Sequence, residues 1–237
     1  MEESQNVREI KLENNSDILK FFKTVDVKLT NVSLYSTTPV DQSIYTMDII
    51  KTYYSKDELK EMTIFDASAC IGGNTWSFCE KFKKVYANEI NKVNYDALCY
   101  NLRSYSNVEF FNEDFLQLKD RIRSDVIFLD CPWNGVNYKT YHSTVGYNGI
   151  DIVELLEDII GDGEDKYDMI VMKLPNEYKW SMFSKYKEKY KYINEYSINT
   201  KNTGIIYKIL VITSRIPKSS LKHKYFRRIG YKYFKYL

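Results

Sequence analysis

The sequence predicts an α/β domain: a doubly wound, mostly parallel seven-stranded sheet, closed by an antiparallel hairpin and preceded by N-terminal helices. Three observations predict it. Short apolar runs recur near residues 62–66, 84–89, 107–111 and 125–130, separated by segments of helical length. Such alternation gives parallel strands joined by helices. A small-residue turn, Ala69-Cys70-Ile71-Gly72-Gly73-Asn74-Thr75, follows the first run and opens a helix, the arrangement by which doubly wound folds bring backbone close to a ligand. Finally, two late runs at 190–197 and 205–213 flank Asn199-Thr200-Lys201-Asn202-Thr203-Gly204, a hairpin-turn composition.

In chain order, residues 1–13 are polar and expected to be flexible. Helices follow at 16–25 and 40–54, the second preceded by Pro39. The first strand ends on Asp66, and a helix at 76–82 follows the turn. The second strand ends on Glu89, and Asn112-Glu113-Asp114-Phe115 closes the third. The run Val126-Ile127-Phe128-Leu129 carries Asp130-Cys131-Pro132-Trp133 at its carboxyl end. A helix at 150–159 and a strand at 168–173 precede the hairpin. With no repeat or low-complexity linker, the 237 residues read as one domain, a helical extension (1–55) before a core (56–237).

Composition narrows the function. The net charge is +2, so a basic footprint needs local clusters rather than bulk charge. Two segments interleave lysine with aromatics: Tyr178-Lys179-Trp180 through Lys191-Tyr192, and Lys218 through Lys235 with Arg227-Arg228. Both suit phosphates and stacked bases, or equally a solvated face. Cys70, Cys79, Cys99 and Cys131 form no C-x-x-C pair, and His142 and His223 lie far apart, which argues against a metal site. The polar start and the absence of a long apolar run predict a soluble protein, cytoplasmic or nuclear, neither secreted nor membrane-bound.

Asp130-Cys131-Pro132-Trp133, a carboxylate, a small residue, a proline and an aromatic at a strand end, resembles the Asp-Pro-Pro-aromatic pattern of amino-group methyltransferases. The residue types suit the chemistry. An exocyclic amine on a base is a poor nucleophile because its lone pair is delocalised. Asp130 and nearby carbonyls can accept its N–H groups as the nitrogen pyramidalises, Pro132 fixes the turn, and Trp133 offers a flat face for the base. Glu89, about twenty residues beyond the turn, stands where a carboxylate takes ribose hydroxyls.

The stretch from about Ser36 to Tyr138 resembles trimethylguanosine synthase, the RNA cap guanine-N2 methyltransferase family. Asp66-Ala67-Ser68-Ala69-Cys70-Ile71-Gly72-Gly73-Asn74-Thr75 is similar to its cofactor turn, and Glu113-Asp114-Phe115 to its Gly-Asp-Phe. Asp130-Cys131-Pro132-Trp133-Asn134-Gly135-Val136-Asn137-Tyr138 is similar to its Ser-Pro-Pro-Trp segment. Tyr35-Ser36-Thr37-Thr38-Pro39 and Leu174-Pro175 also resemble family motifs. The resemblance implies the class I S-adenosylmethionine methyltransferase fold, with S-adenosylmethionine as cofactor and methyl transfer to the exocyclic N2 of a 7-methylguanosine cap. It implies cofactor contacts from Thr38, Asp66, Gly72, Asn74, Thr75, Glu89, Asp114 and Asp130. Asp130, Pro132 and Trp133 would be catalytic, and Trp133, Asn134 and Tyr138 would meet capped RNA or a 7-methylguanosine nucleotide. The sequence departs from the family at Cys70, where the family has glycine, at Cys131, where it has proline, and at Asp130, where it has serine. Two other functions fit the same residues: a different guanine-N2 or adenine-N6 nucleic-acid methyltransferase, and a non-catalytic RNA-binding subunit of this fold.

Overall fold

The computed structural model describes residues 7–11, 22–24, 26–133, 145–161, 166–176, 183, 186, 190–199 and 206–218. In chain order the elements are β1 (Glu9–Ile10), β2 (Leu29–Thr30), α1 (Ser33–Ser36), α2 (Val40–Lys51), α3 (Lys56–Leu59), β3 (Thr63–Asp66), α4 (Gly73–Cys79), β4 (Lys84–Asn88) and α5 (Lys92–Asn101). They continue with β5 (Val108–Phe111), α6 (Phe115–Leu118), β6 (Val126–Leu129), β7 (Gly146–Tyr147), β8 (Ile150–Asp151), α7 (Ile152–Gly161), β9 (Met169–Pro175), β10 (Tyr192–Asn199) and β11 (Ile206–Thr213).

Seven strands form the central sheet in the order β10-β11-β9-β6-β3-β4-β5. The five strands from β9 to β5 are parallel, and β11 runs antiparallel between β9 and β10. This is the predicted doubly wound sheet with its closing hairpin. At the amino ends, Oδ2 of Asp125 accepts from the Thr63 backbone N–H and hydroxyl at 2.6 and 2.9 Å, fixing β3 against β6.

Strand periodicity sorts the core into two layers. Ile64, Val126, Phe128, Met169, Val171, Ile209 and Val211 pack one face beneath α2 and α4. Phe65, Ile127, Leu129, Ile170, Met172, Leu210 and Ile212 pack the other, with α6 and α7. The central strands are buried on both faces, which is why they read as unbroken apolar runs rather than alternating ones.

Three differences from the sequence expectations have local causes. Glu9–Ile10, within the segment expected to be flexible, pair with Leu29–Thr30 in a two-stranded ladder, and Ile10 packs on a small cluster with Phe22 and Leu29. The helix expected from 76 begins at Gly73, because the turn residues themselves supply its first turn. The helix expected from Ile150 begins at Ile152, because Ile150–Asp151 pair with Gly146–Tyr147. Asn148 (φ 47) and Gly149 (φ 86) make the tight turn between them, the two positive φ values that an Asn-Gly hairpin turn uses. Of the helix expected at 16–25 only residues 22–24 are described, and these are not helical; most of both lysine–aromatic clusters lie outside the described residues.

Candidate active site

The carboxyl ends of β3, β4, β6 and β9 lie along one edge of the sheet, the side on which open α/β sheets bind ligands. Register builds its centre. β6 and β9 pair Val126 with Met169, Phe128 with Val171 and Leu129 with Met172. One residue further on, Asp130 and Lys173 project from the same sheet face, and the Lys173 ammonium lies 2.9 Å from Oδ2 of Asp130. Their side chains are only 14% and 10% exposed.

Thr38 and Asn74 complete this cluster. Oγ1 of Thr38 accepts from Lys173 Nζ at 2.9 Å and from Asn74 Nδ2 at 2.8 Å. Its own hydroxyl hydrogen is then left for Oδ2 of Asp130, 3.5 Å away. Gly73 permits this approach: a Cβ there would stand 2.5 Å from the Thr38 carbonyl oxygen. Trp133 packs at the edge of both core layers, with Lys173 Nζ 5.5 Å from its ring centroid, and the Tyr207 ring centroid lies 5.1 Å from the same ammonium. Pro132 is exposed beside it. Asn134 and Tyr138 lie outside the described residues.

Asp66 and Thr75 form a second group. Thr75 donates to Oδ2 of Asp66 at 2.7 Å, while Oδ1 is buried and has no hydrogen-bond partner among the described residues. Burial is the main reason the Asp66 carboxyl is pushed up to about 7. The Thr75 hydrogen bond opposes that rise, and the nearby carboxylates of Asp130 and Glu89 add to it. Oδ1 of Asn74 is a second buried acceptor with no partner among the described residues.

Glu89 is 8% exposed and takes hydrogen bonds from the backbone N–H groups of Cys70 at 3.0 Å and Asn91 at 2.8 Å. Burial raises its carboxyl above the usual range, and these bonds pull it back. Asp114 caps α6 through Oδ1, accepting from Leu116 N–H, and its Oδ2 accepts from Asn148 Nδ2 at 2.6 Å. Asn88, which the sequence did not single out, ties three strand ends together. Its amide donates to the carbonyls of Ala67 and Glu113 and accepts from Glu113 N–H.

Cys70 occupies the left-handed region at φ 50, and Gly72 does so at φ 103. The turn has therefore kept the backbone shape that a glycine would adopt freely, at a cost of about 1 kcal/mol for a side chain at position 70. The Cys70 thiol lies 3.5 Å from Thr37 Oγ1, and burial pushes it up to about 12, so it is not a reactive thiolate. We expect Cys70→Gly to leave stability unchanged or raise it by up to about 1 kcal/mol. Cys70→Val should cost about 2 kcal/mol or more, because a β-branched residue resists positive φ. Urea denaturation of both variants checks this; a glycine variant clearly less stable than the valine one would refute the strained-turn account.

Lys173 is the site residue that the sequence reading missed. Its signal was present: a lysine inside Met169-Ile170-Val171-Met172-Lys173-Leu174-Pro175, a strand buried along its whole length, where an unpaired charge is not tolerated.

Comparison with known proteins bears on the sequence pattern and the fold. A family model described as RNA cap guanine-N2 methyltransferase matches residues 61–145. An uncharacterized protein of Acanthamoeba polyphaga mimivirus is 30% identical over 156 residues, covering 63% of this chain. The match spans 59% of that protein's own length. Among solved structures, the METTL16 methyltransferase domain is similar over 78% of this chain and 72% of its own, with 9% identity and a TM-score of 0.55. A putative class I S-adenosylmethionine-dependent methyltransferase from Listeria monocytogenes is similar over 80% and 63%, with 12% identity and a TM-score of 0.54. A putative RNA methyltransferase from Pyrococcus horikoshii is similar over 76% and 87%, with 14% identity and a TM-score of 0.52. At these identities the structural likeness establishes the fold. Residues 61–145 are thus similar to the RNA cap guanine-N2 methyltransferase family, and the sheet has the class I S-adenosylmethionine-dependent methyltransferase fold.

Proposed function

We propose that this protein transfers a methyl group from S-adenosylmethionine to the exocyclic N2 of a 7-methylguanosine RNA cap. The observation that carries the reading is the placement of Asp130 and Trp133 at the end of β6, beside the β3–α4 turn that opens with Asp66 and Gly72.

The residues around that turn fit the cofactor. The orphaned buried acceptors on Asp66 and Asn74 call for donors, and an amino-acid ammonium supplies them. Asp66, held by Thr75, is assigned to that ammonium, with Gly72 giving close backbone approach and Thr38 and Asn74 lining the same side. Glu89 is assigned to the ribose and Asp114 to the adenine amine. The cofactor's sulfonium supplies an activated methyl group, so the protein's task is positioning and electrostatics. Asp130 accepts an N–H of the acceptor amine, and Trp133 stacks the base.

Glu89→Ala should weaken S-adenosylmethionine binding by about 1.5–3 kcal/mol, roughly ten- to a hundredfold, through loss of charge-assisted hydrogen bonds. The variant also frees the Cys70 and Asn91 N–H groups that now anchor the turn. Calorimetry giving equal affinity for parent and variant would remove Glu89 from the site.

A base methylated at N7 is cationic and stacks on an indole more strongly than a neutral base, on the order of 1–2 kcal/mol when desolvated. The parent protein should therefore methylate 7-methyl-GTP far better than GTP. Trp133→Ala should erase the preference and Trp133→Phe retain part of it. One observation favours a second reading, amine methylation of a neutral guanine or adenine: an ammonium, Lys173, already sits near the Trp133 ring. Steady-state transfer to 7-methyl-GTP, GTP and unmodified RNA separates the two, and equal turnover of both nucleotides would favour the second.

A further inference from the structure

We propose that Lys173 is a positioning residue for methyl transfer: it fixes Oδ2 of Asp130 and thereby turns Oδ1 toward the acceptor amine. The inference rests on the reading of these strand ends as an amine methyltransferase site.

Three donors converge on Oδ2. Lys173 Nζ lies at 2.9 Å, whereas Thr38 Oγ1 and Asn74 Nδ2 both lie at 3.5 Å, the outer limit of a hydrogen bond. Lys173 is the principal anchor and the other two are supports. No hydrogen bond to Oδ1 of Asp130 is found among the described residues. The terminal torsion of an aspartate is broad and roughly two-fold, so an unanchored Asp130 would present either oxygen in many orientations.

The lysine is itself held. Its ammonium also donates to Thr38 Oγ1 and lies 5.5 Å from the Trp133 ring centroid and 5.1 Å from that of Tyr207. Tyr207 reaches it because the β9–β11 register pairs Lys173 with Ile209, two residues along the same face. The direction of every hydrogen bond in the cluster is then determined: Lys173 and Asn74 donate to Thr38, and Thr38 donates to Asp130.

The pairing also suits the charge that develops. As the amine nitrogen bonds to the methyl carbon, the S–CH3 bond of S-adenosylmethionine breaks and S-adenosylhomocysteine leaves as a neutral thioether. The nitrogen gains positive charge, which a lone ammonium nearby would oppose, and then loses one proton to solvent water. Paired with Asp130, the lysine contributes little net field, and Oδ1 remains to accept an N–H of the increasingly cationic nitrogen. Packing alone does not account for the pair, because a buried ion pair stabilises a fold little more than apolar residues of the same shape. Methionine or leucine at 173 would serve β9 equally well.

The test compares the parent with Lys173→Met, Asp130→Asn and the double variant, in two measurements. Steady-state transfer uses 7-methyl-GTP, GTP and unmodified RNA as acceptors. Lys173→Met should lower kcat about a hundredfold, with KM for cofactor and acceptor changed by about threefold or less. In thermal denaturation each single variant should lower the midpoint, while the double variant recovers most of the loss yet stays slow. An active parent whose Lys173→Met variant keeps its kcat, or loses activity only through KM, overturns the positioning role and leaves the methyltransferase reading standing. Strictly additive denaturation midpoints overturn it as well. A parent that transfers no methyl to any of the three acceptors overturns the underlying reading, and the role of Lys173 falls with it.

Discussion

Asp66→Asn is expected to stabilise the fold at neutral pH and to weaken cofactor binding. Burial pushes the Asp66 carboxyl up from 3.8 to about 7. Well below pH 3.8 the side chain is protonated in both folded and unfolded chains, and it costs nothing. Between pH 4 and 7 the unfolded chain ionises while the folded one does not, so stability falls as pH rises through that window and levels off above it. The full cost is about 4 kcal/mol. Asparagine has no such charge and can still accept from Thr75. Denaturant melts at pH 4, 5.5 and 7.5 should show the parent losing stability relative to Asp66→Asn, and parallel profiles would refute the account. In the parent, an ammonium placed beside Asp66 favours the ionised form. S-adenosylmethionine affinity should therefore rise with pH up to about 7, and binding should release protons. The variant should show neither effect.

The second large effect is expected at Asp130. Asp130→Ala strips the anion from a lysine whose side chain is 10% exposed. An uncompensated buried charge costs about 3–5 kcal/mol, far more than the roughly 0–1 kcal/mol of a surface pair such as Lys83–Glu61. Methyl transfer should be abolished as well. A stability loss under about 1 kcal/mol would mean that the ammonium finds water or another partner, and the cluster would not be the closed unit described above.

The sheet was legible because its central strands are short, apolar and regularly spaced, a pattern that depends only on burial. The strand-end positions of Asp66, Glu89 and Asp130 were legible because carboxylates stand out against those runs. Lys173 was not, because its role comes from the register of β6 against β9, which pairs residues 43 positions apart in sequence. The Asn148-Gly149 hairpin is a strong local turn signal that went unread because its flanking strands, Gly146–Tyr147 and Ile150–Asp151, have two residues each. The conformation of Cys70 was also beyond the sequence, since the backbone of a turn is set by what packs around it. Here those neighbours are Glu89, which takes the Cys70 N–H, and Thr37, beside the thiol.

The most direct test of the central claim is the position of the transferred methyl group. The protein should be incubated with tritium-labelled S-adenosylmethionine and 7-methylguanosine-capped RNA, and the digested nucleosides separated. The account predicts label on the exocyclic N2 of the cap guanine, and little label when the cap lacks its N7 methyl. Label on an internal adenine, on a ribose hydroxyl, or equally on both caps would contradict it.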